Sequence, residues 1–240
     1  MARYRLEFTK KDSLRFISHL DLQRLLERLF RRAELPLTFS AGFNPRPRLS
    51  LASPLPLGIE GLRECVEFEL KENLLLREVV GRIAPFCPPG MEVKGIGLVR
   101  PEAEPVMAAV NTAAYVLYLR DTGQDTAAKA AAQLMQKEQL PVWRKGKDGK
   151  EKEVDIRPGL YKVEAKKGET ERETELFLLV DVGKKVTVRP EDVVQAGTGM
   201  GLGAEKVKKV VRSALYVKEN GNFLSPLDSK FCQEVYRPEK

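Results

Sequence analysis

Arg15-Phe16-Ile17-Ser18-His19-Leu20-Asp21, continuing as Leu22-Gln23-Arg24-Leu25-Leu26-Glu27-Arg28-Leu29-Phe30-Arg31-Arg32-Ala33, is the stretch from which the architecture unfolds. Leu22, Leu25, Leu26, Leu29, Phe30 and Ala33 recur at helical spacing and form one apolar stripe, while Arg24, Arg28 and Arg31 fall on the opposite side. Ser18, followed three positions later by Asp21, is a capping-box arrangement with Asp in place of the usual Glu or Gln. Pro36 stops the helix. Upstream, Arg3 to Phe8 alternates as a strand, with Tyr4, Leu6 and Phe8 on one face. Downstream, Leu37 to Ser40 and Arg48 to Leu51 read as extended around a proline-containing loop. Glu64 to Leu70 alternates again, Leu76, Val79, Val80 and Ile83 mark a second helix, and Met91 to Val99 is a last strand after Pro88-Pro89-Gly90. The order β-α-β-β-α-β predicts a ferredoxin-like sandwich with both helices on one sheet face.

Arg100-Pro101-Glu102-Ala103-Glu104-Pro105 reads as a short, stiff linker, so residues 1–100 form the first domain and 101–111 the connection. A second unit over 112–220 opens with the strand Ala113 to Leu119, followed by an alanine-rich helix from Thr126 to Lys137. Lys147-Asp148-Gly149-Lys150 signals a hairpin turn between Val142-Trp143 and Val154-Ile156. Glu175 to Val182 reads as a strand, Pro190 to Gln195 as a short helix, Glu205 to Arg212 as helical and Ala214 to Val217 as a closing strand. The expected fold is therefore α+β: two ferredoxin-like units in tandem, the second less regular, followed by a C-terminal tail over 221–240.

Composition narrows the function classes. With 240 residues, 42% apolar and 31% charged, and no apolar run near the roughly 18–20 residues of a membrane span, the expectation is a globular protein away from the membrane. Met1-Ala2-Arg3-Tyr4-Arg5 lacks the apolar block of a signal peptide, which leads us to expect a cytoplasmic location. Cys65, Cys87 and Cys232 are too far apart to suggest a disulfide framework or zinc ribbon, and with one histidine they cannot complete a cysteine-held four-iron cluster. No cofactor or metal is therefore expected. The net charge of +7 is concentrated early: through Ser50 there are eleven basic residues against five acidic ones. Such a local excess favours an anionic partner.

Three segments are candidate sites. His19, the only histidine, is the weak candidate for acid–base catalysis, against a simple helix-start role. Arg24, Arg28 and Arg31 are either a phosphate-gripping stripe or a solvated helix face. In Gly42-Phe43-Asn44-Pro45-Arg46-Pro47-Arg48, Phe43 either stacks on a base while Arg46 and Arg48 meet phosphate, or turns into the core. Gly197-Thr198-Gly199-Met200-Gly201-Leu202-Gly203 follows a helix and lacks the Lys-Ser/Thr of a P-loop. It reads as a joint leading into another helix, with exposed backbone N–H groups as the functional alternative.

The segments Arg15 to Asp21, Gly42 to Arg48 and Pro54-Leu55-Pro56-Leu57-Gly58 together resemble the radical-SAM-linked protein family, a bacterial domain of unknown function found alone or fused to radical SAM proteins. Asp155-Ile156-Arg157-Pro158 extends the resemblance more loosely into the second half. The resemblance implies a radical SAM partner. Its usual gene surroundings, ribonuclease G and a ribosomal protein, imply work on RNA or ribosomal components. A more remote similarity is to the RAMP-type CRISPR repeat-processing endoribonucleases, which also use tandem ferredoxin-like domains and carry a glycine-rich loop near their C-terminal strand. The resulting expectation is a non-catalytic RNA-binding or substrate-presenting adaptor, with Arg24, Arg28, Arg31, Phe43, Arg46 and Arg48 as its RNA-binding residues. Its rivals are a protein-only interaction module and a metal-independent endoribonuclease using His19.

Overall fold

Strand β1 (Ala2–Lys10) is the centre of the first unit, because both of its faces are covered. Tyr4, Leu6 and Phe8 point into the core shared with α1 (His19–Arg32). That helix contributes Leu22, Leu26, Leu29 and Phe30, the periodic stripe of the sequence. Phe68 joins the two layers: its ring lies 4.6 Å from Phe30 and 5.7 Å from Tyr4, centroid to centroid. β2 (Leu49–Leu51) and β3 (Glu60–Leu70) follow, then α2 (Leu76–Ile83) and β4 (Val93–Val99). The strand order β4-β1-β3, with β2 beside β3, is that of a ferredoxin-like sheet. In this computed structural model the described residues are 1–146, 148–170, 173–183 and 186–239.

The chain forms two compact units, residues 111–213 and the remainder. Residues 101–110, expected as a linker, sit in the first unit. A short helix, α3 (Val106–Ala109), buries Val106, and the Arg3 guanidinium donates to the carbonyls of Arg100, Pro101 and Ala103 at 2.8, 3.1 and 2.7 Å. The second unit comprises β5 (Thr112–Arg120), α4 (Gln124–Gln136), the hairpin β6 (Pro141–Lys145) and β7 (Glu151–Asp155), β8 (Leu160–Lys167), β9 (Glu173–Asp181), α5 (Pro190–Ala196) and the start of β10 (Val207–Glu219). Its sheet order, β10-β5-β9-β8, repeats the ferredoxin-like pattern, and the β6–β7 hairpin is the added element that makes it less regular. Ala127, Ala130 and Ala131 are buried on α4, small enough to bring the helix close to the sheet. The expected hairpin turn is present, although Lys147 lies outside the described residues.

Two expectations are corrected. Glu205 to Arg212 is not helical: a single 3-10 turn (Ala204–Lys206) leads directly into β10. Val207, Val210 and Val211 are β-branched and fit a pleated surface, and β5 offers the neighbouring strand position, which outweighs the apparent helical spacing. The glycine-rich segment consequently precedes a strand. The last twenty residues also differ from the expected tail. β10 runs on past Ser213 into the first unit, β11 (Asn222–Leu224) folds back on it, and β12 (Cys232–Tyr236) pairs antiparallel with β4.

This C-terminal segment explains why β1 has no exposed face. Arg5, which alternation places opposite the core, is fully buried and donates to the carbonyls of Pro226 (3.0 Å) and Glu104 (2.5 Å) and to Glu67 Oε2 (2.8 Å). Glu7 accepts from Arg63, Ser225 and Arg237. The polar side of the strand is thus satisfied in part by residues more than two hundred positions away, as a buried charge requires.

Candidate nucleic-acid interface

At the N-terminal end of α1, Ser18 Oγ accepts from the Asp21 N–H at 3.1 Å and donates to Asp21 Oδ2 at 2.7 Å. That hydroxyl bond, then the nearby Arg24, holds the Asp21 carboxyl below its usual range. Capping satisfies one of the orphan N–H groups of the first turn, and Arg24 pairs with Asp21 at 3.5 Å in full view of solvent. His19 is the first residue of the helix and half-buried. The C-terminal end, with Arg31, is twelve residues farther on, about 18 Å at 1.5 Å per residue. His19 and Arg31 therefore stand near opposite ends of the helix.

The loop after the helix is closed by its own backbone. The Ser40 N–H donates to the Arg46 carbonyl at 2.8 Å, Arg46 N–H returns a bond to Ser40 Oγ at 3.1 Å, and Arg48 N–H reaches the Thr38 carbonyl at 2.8 Å. Gly42 turns the tip with φ of 123°, a conformation open to glycine and strained for other residues. Phe43, which the sequence left open between core and surface, is completely exposed at this tip. Arg46 is exposed as well, whereas Arg48 is partly neutralised by Glu69 at 3.3 Å.

The helix stripe and the loop meet through Phe39. Its backbone bridges to Pro47, and the Arg31 guanidinium lies over its ring at 5.8 Å. Arg31 therefore sits at the base of the loop whose exposed residues include Phe43 and Arg46, with Arg28 and Arg24 leading away along the helix. Sequence reading missed the aromatic partners. Arg32 lies 5.2 Å over Phe86, and Arg15 4.7 Å over Phe16, each ring still open to solvent. The only signal was apolar residues out of phase with the core stripe.

Other features have local explanations. Two shallow clefts in the first unit, about 280 and 240 Å³, fall below the usual size of small-molecule sites. The charges in the smaller one are already paired, Arg3 with Glu67 and Arg48 with Glu69. Two glycines of 197–203 fit tight contacts, since a Cβ at Gly201 would meet Thr126 and one at Gly197 would meet Leu202, whereas Gly199 faces open space. Lys206 Nζ donates to the Gly201 carbonyl at 2.9 Å and fixes the loop as it enters β10. Among the described residues, no group of three or more His, Cys, Asp or Glu side chains is placed to hold a metal ion, and no helix is long and apolar enough to cross a membrane.

Residues 3–190 match the family described as an uncharacterized protein conserved in bacteria, DUF2344. The chain belongs to that family. No curated protein matches it. Among solved structures, it is similar to a chain of a Cbf5-Nop10-Gar1 complex, with 12% identity, a TM-score of 0.48 and 91% of this chain covered. It spans 50% of that chain's length. It is also aligned with the protein DyPB from Rhodococcus jostii, at 11% identity and a TM-score of 0.22, covering 88% of this chain and 92% of that one. Likenesses this distant say nothing about what the DUF2344 protein binds.

Proposed function

We propose that this DUF2344 protein is a non-catalytic RNA-binding adaptor that presents RNA, or an RNA-containing component such as a ribosomal particle, to a radical SAM enzyme. One observation carries the RNA half of this reading: the complete exposure of Phe43 at the tip of the loop that carries exposed Arg46, a loop entered through Phe39 beneath Arg31. An aromatic ring held clear of the core among guanidinium groups fits a base and its phosphates. The resemblance of Arg15 to Asp21 and Gly42 to Arg48 to the radical-SAM-linked family supports the partner enzyme. The adaptor would supply grip, and the partner would supply the cluster and the chemistry.

The test is RNA crosslinking and pull-down from cells on the tagged full chain, beside an Arg46→Ala/Arg48→Ala control. RNA enriched by the wild type and lost in the control supports the reading. Equal RNA recovery from both would remove the site assignment, and recovery of a radical SAM protein without RNA would replace the adaptor with a protein-only module. That second reading has its own support. Phe16, Leu20 and Leu57 are 63%, 62% and 63% exposed, and the Gly58 N–H donates to the Arg15 carbonyl at 2.9 Å, drawing the Leu57 loop to the turn that carries Phe16. The nuclease reading rests on His19 alone, and absence of cleavage by the wild type would set it aside.

A further inference from the structure

We infer that the RNA taken by this face is single-stranded, held by stacking of unpaired bases on exposed phenylalanines between arginine contacts to phosphate. The inference rests on the RNA reading above and specifies its ligand.

The surface offers two repeated elements. Along α1, Leu20, Arg24, Arg28 and Arg31 are spaced at three- and four-residue intervals, so they form one exposed row down the helix. The helix has fourteen residues and is about 21 Å long. Aromatic rings mark both ends of that row. Phe16 precedes the cap Ser18 at one end, 63% exposed beneath the Arg15 guanidinium. At the other end are Phe39 beneath Arg31 and Phe86 beneath Arg32, and the loop that begins at Phe39 carries the uncovered Phe43. A guanidinium lying over a ring is oriented by that ring, and it retains N–H donors at its rim for phosphate oxygens.

Charge alone would suit any polyanion, including a duplex. The rings decide between them. In a helical duplex the base faces are already stacked, and proteins read it through backbone shape and 2′-hydroxyls across the minor groove. Phe43 would gain nothing from such a ligand and would remain an exposed ring. Unpaired bases have free π-faces, and a flexible strand can follow a row of arginines while its bases reach rings at either end. Acidic residues share the face: Arg15 is paired with Glu60 at 3.0 Å, Asp21 is paired with Arg24, Glu27 accepts from Gln23, and Glu34 lies past the helix end. They leave Arg28, Arg31, Arg32 and Arg46 as the surplus. Recognition by stacking and charge is tolerant of base sequence, so the preference falls on unpaired structure rather than on one motif.

The experiment is fluorescence anisotropy on the full chain with a labelled uridine-rich single strand of about 12 nucleotides, inside the usual site sizes, and with an RNA duplex of equal length. The expected result is at least about tenfold tighter binding of the single strand. Phe43→Leu, an exposed change that keeps an apolar side chain, should weaken single-strand binding about tenfold without altering its salt slope. Arg28→Gln/Arg46→Gln should instead flatten that slope. If the duplex binds as tightly as the single strand, or Phe43→Leu is silent, the inference is overturned while RNA binding stands. If neither RNA binds at low salt, the RNA reading itself falls and takes the inference with it.

Discussion

Arg5 Nε and Glu67 Oε2 meet at 2.8 Å on the side of β1 and β3 that faces away from α1 and α2, and the arginine is wholly buried there. Each charge has further partners, because Glu67 also accepts the Val106 N–H at 3.2 Å and Arg5 holds the carbonyls of Glu104 and Pro226. The pair thus anchors α3 and the C-terminal segment to the same sheet. Removing one partner strands the other in a dry site. Arg5→Ala should cost about 3–5 kcal/mol in urea unfolding. The double variant Arg5→Met/Glu67→Leu should cost clearly less than the sum of its single changes. Strict additivity would mean that the two charges do not act as a unit.

Gly97 is the contact point for β12. A Cβ there would lie 2.6 Å from Cys232 Sγ and 3.3 Å from Leu227 Cδ2. Gly97→Ala should therefore destabilise the protein by about 1–3 kcal/mol. Thermal unfolding with and without Cys232→Ala reads the effect, and the smaller residue at 232 should recover part of the loss. No recovery would show that the strain lies elsewhere.

Thiol reactivity should follow burial. The Cys232 thiol is pushed up to about 11 by burial, and Cys65 also rises well above its usual value for the same reason. At pH 8, three units lower, roughly one Cys232 in a thousand is thiolate. Alkylation of the native protein followed by peptide mass spectrometry should label the half-buried Cys87 first. All three should label in denaturant. Rapid native labelling of Cys232 would indicate that β12 leaves the sheet readily.

Ser18→Ala removes the α1 cap and should cost about 1 kcal/mol. Because the folded Asp21 carboxyl lies below its unfolded value, its contribution is present above the unfolded value and lost as pH falls through the folded one. The variant should move the Asp21 titration, followed by NMR, upward toward that of a free carboxylate. An unchanged titration would leave Arg24 as the dominant cause.

Salt dependence of RNA binding counts phosphate contacts. For single strands each contact contributes about 0.7 to the slope of log affinity against log salt. Arg28→Gln/Arg46→Gln should therefore lower the slope by about 1.4 if both side chains meet phosphate. A parallel loss of affinity at every salt concentration would assign them another role.

Local order carried most of the first unit. Periods of 3.6 and 2 placed β1, α1, β3 and α2, since each buries an apolar row against a neighbour close in sequence, and Ser18 declared the start of α1. The exposed arginines of α1 were legible for the same reason: they are the complement of the apolar stripe. Residues 205–212 misled because a run of Val and Lys satisfies helical spacing while β-branching suits the strand place beside β5. Phe43 could not be assigned from its neighbours, since nothing local states whether a loop ring finds a core; Phe39, Pro47 and Arg31 settle that by closing the loop outward. The sequence by itself determined the repeated β-α-β-β-α-β order and the basic row on α1. Only the tertiary structure decided that Arg5 and Glu7 are interior and that the last residues complete the first unit. Their partners at Glu104, Ser225, Pro226 and Arg237 lie 99 to 230 residues away, and hydrogen bonds across such distances leave no periodic trace in the chain.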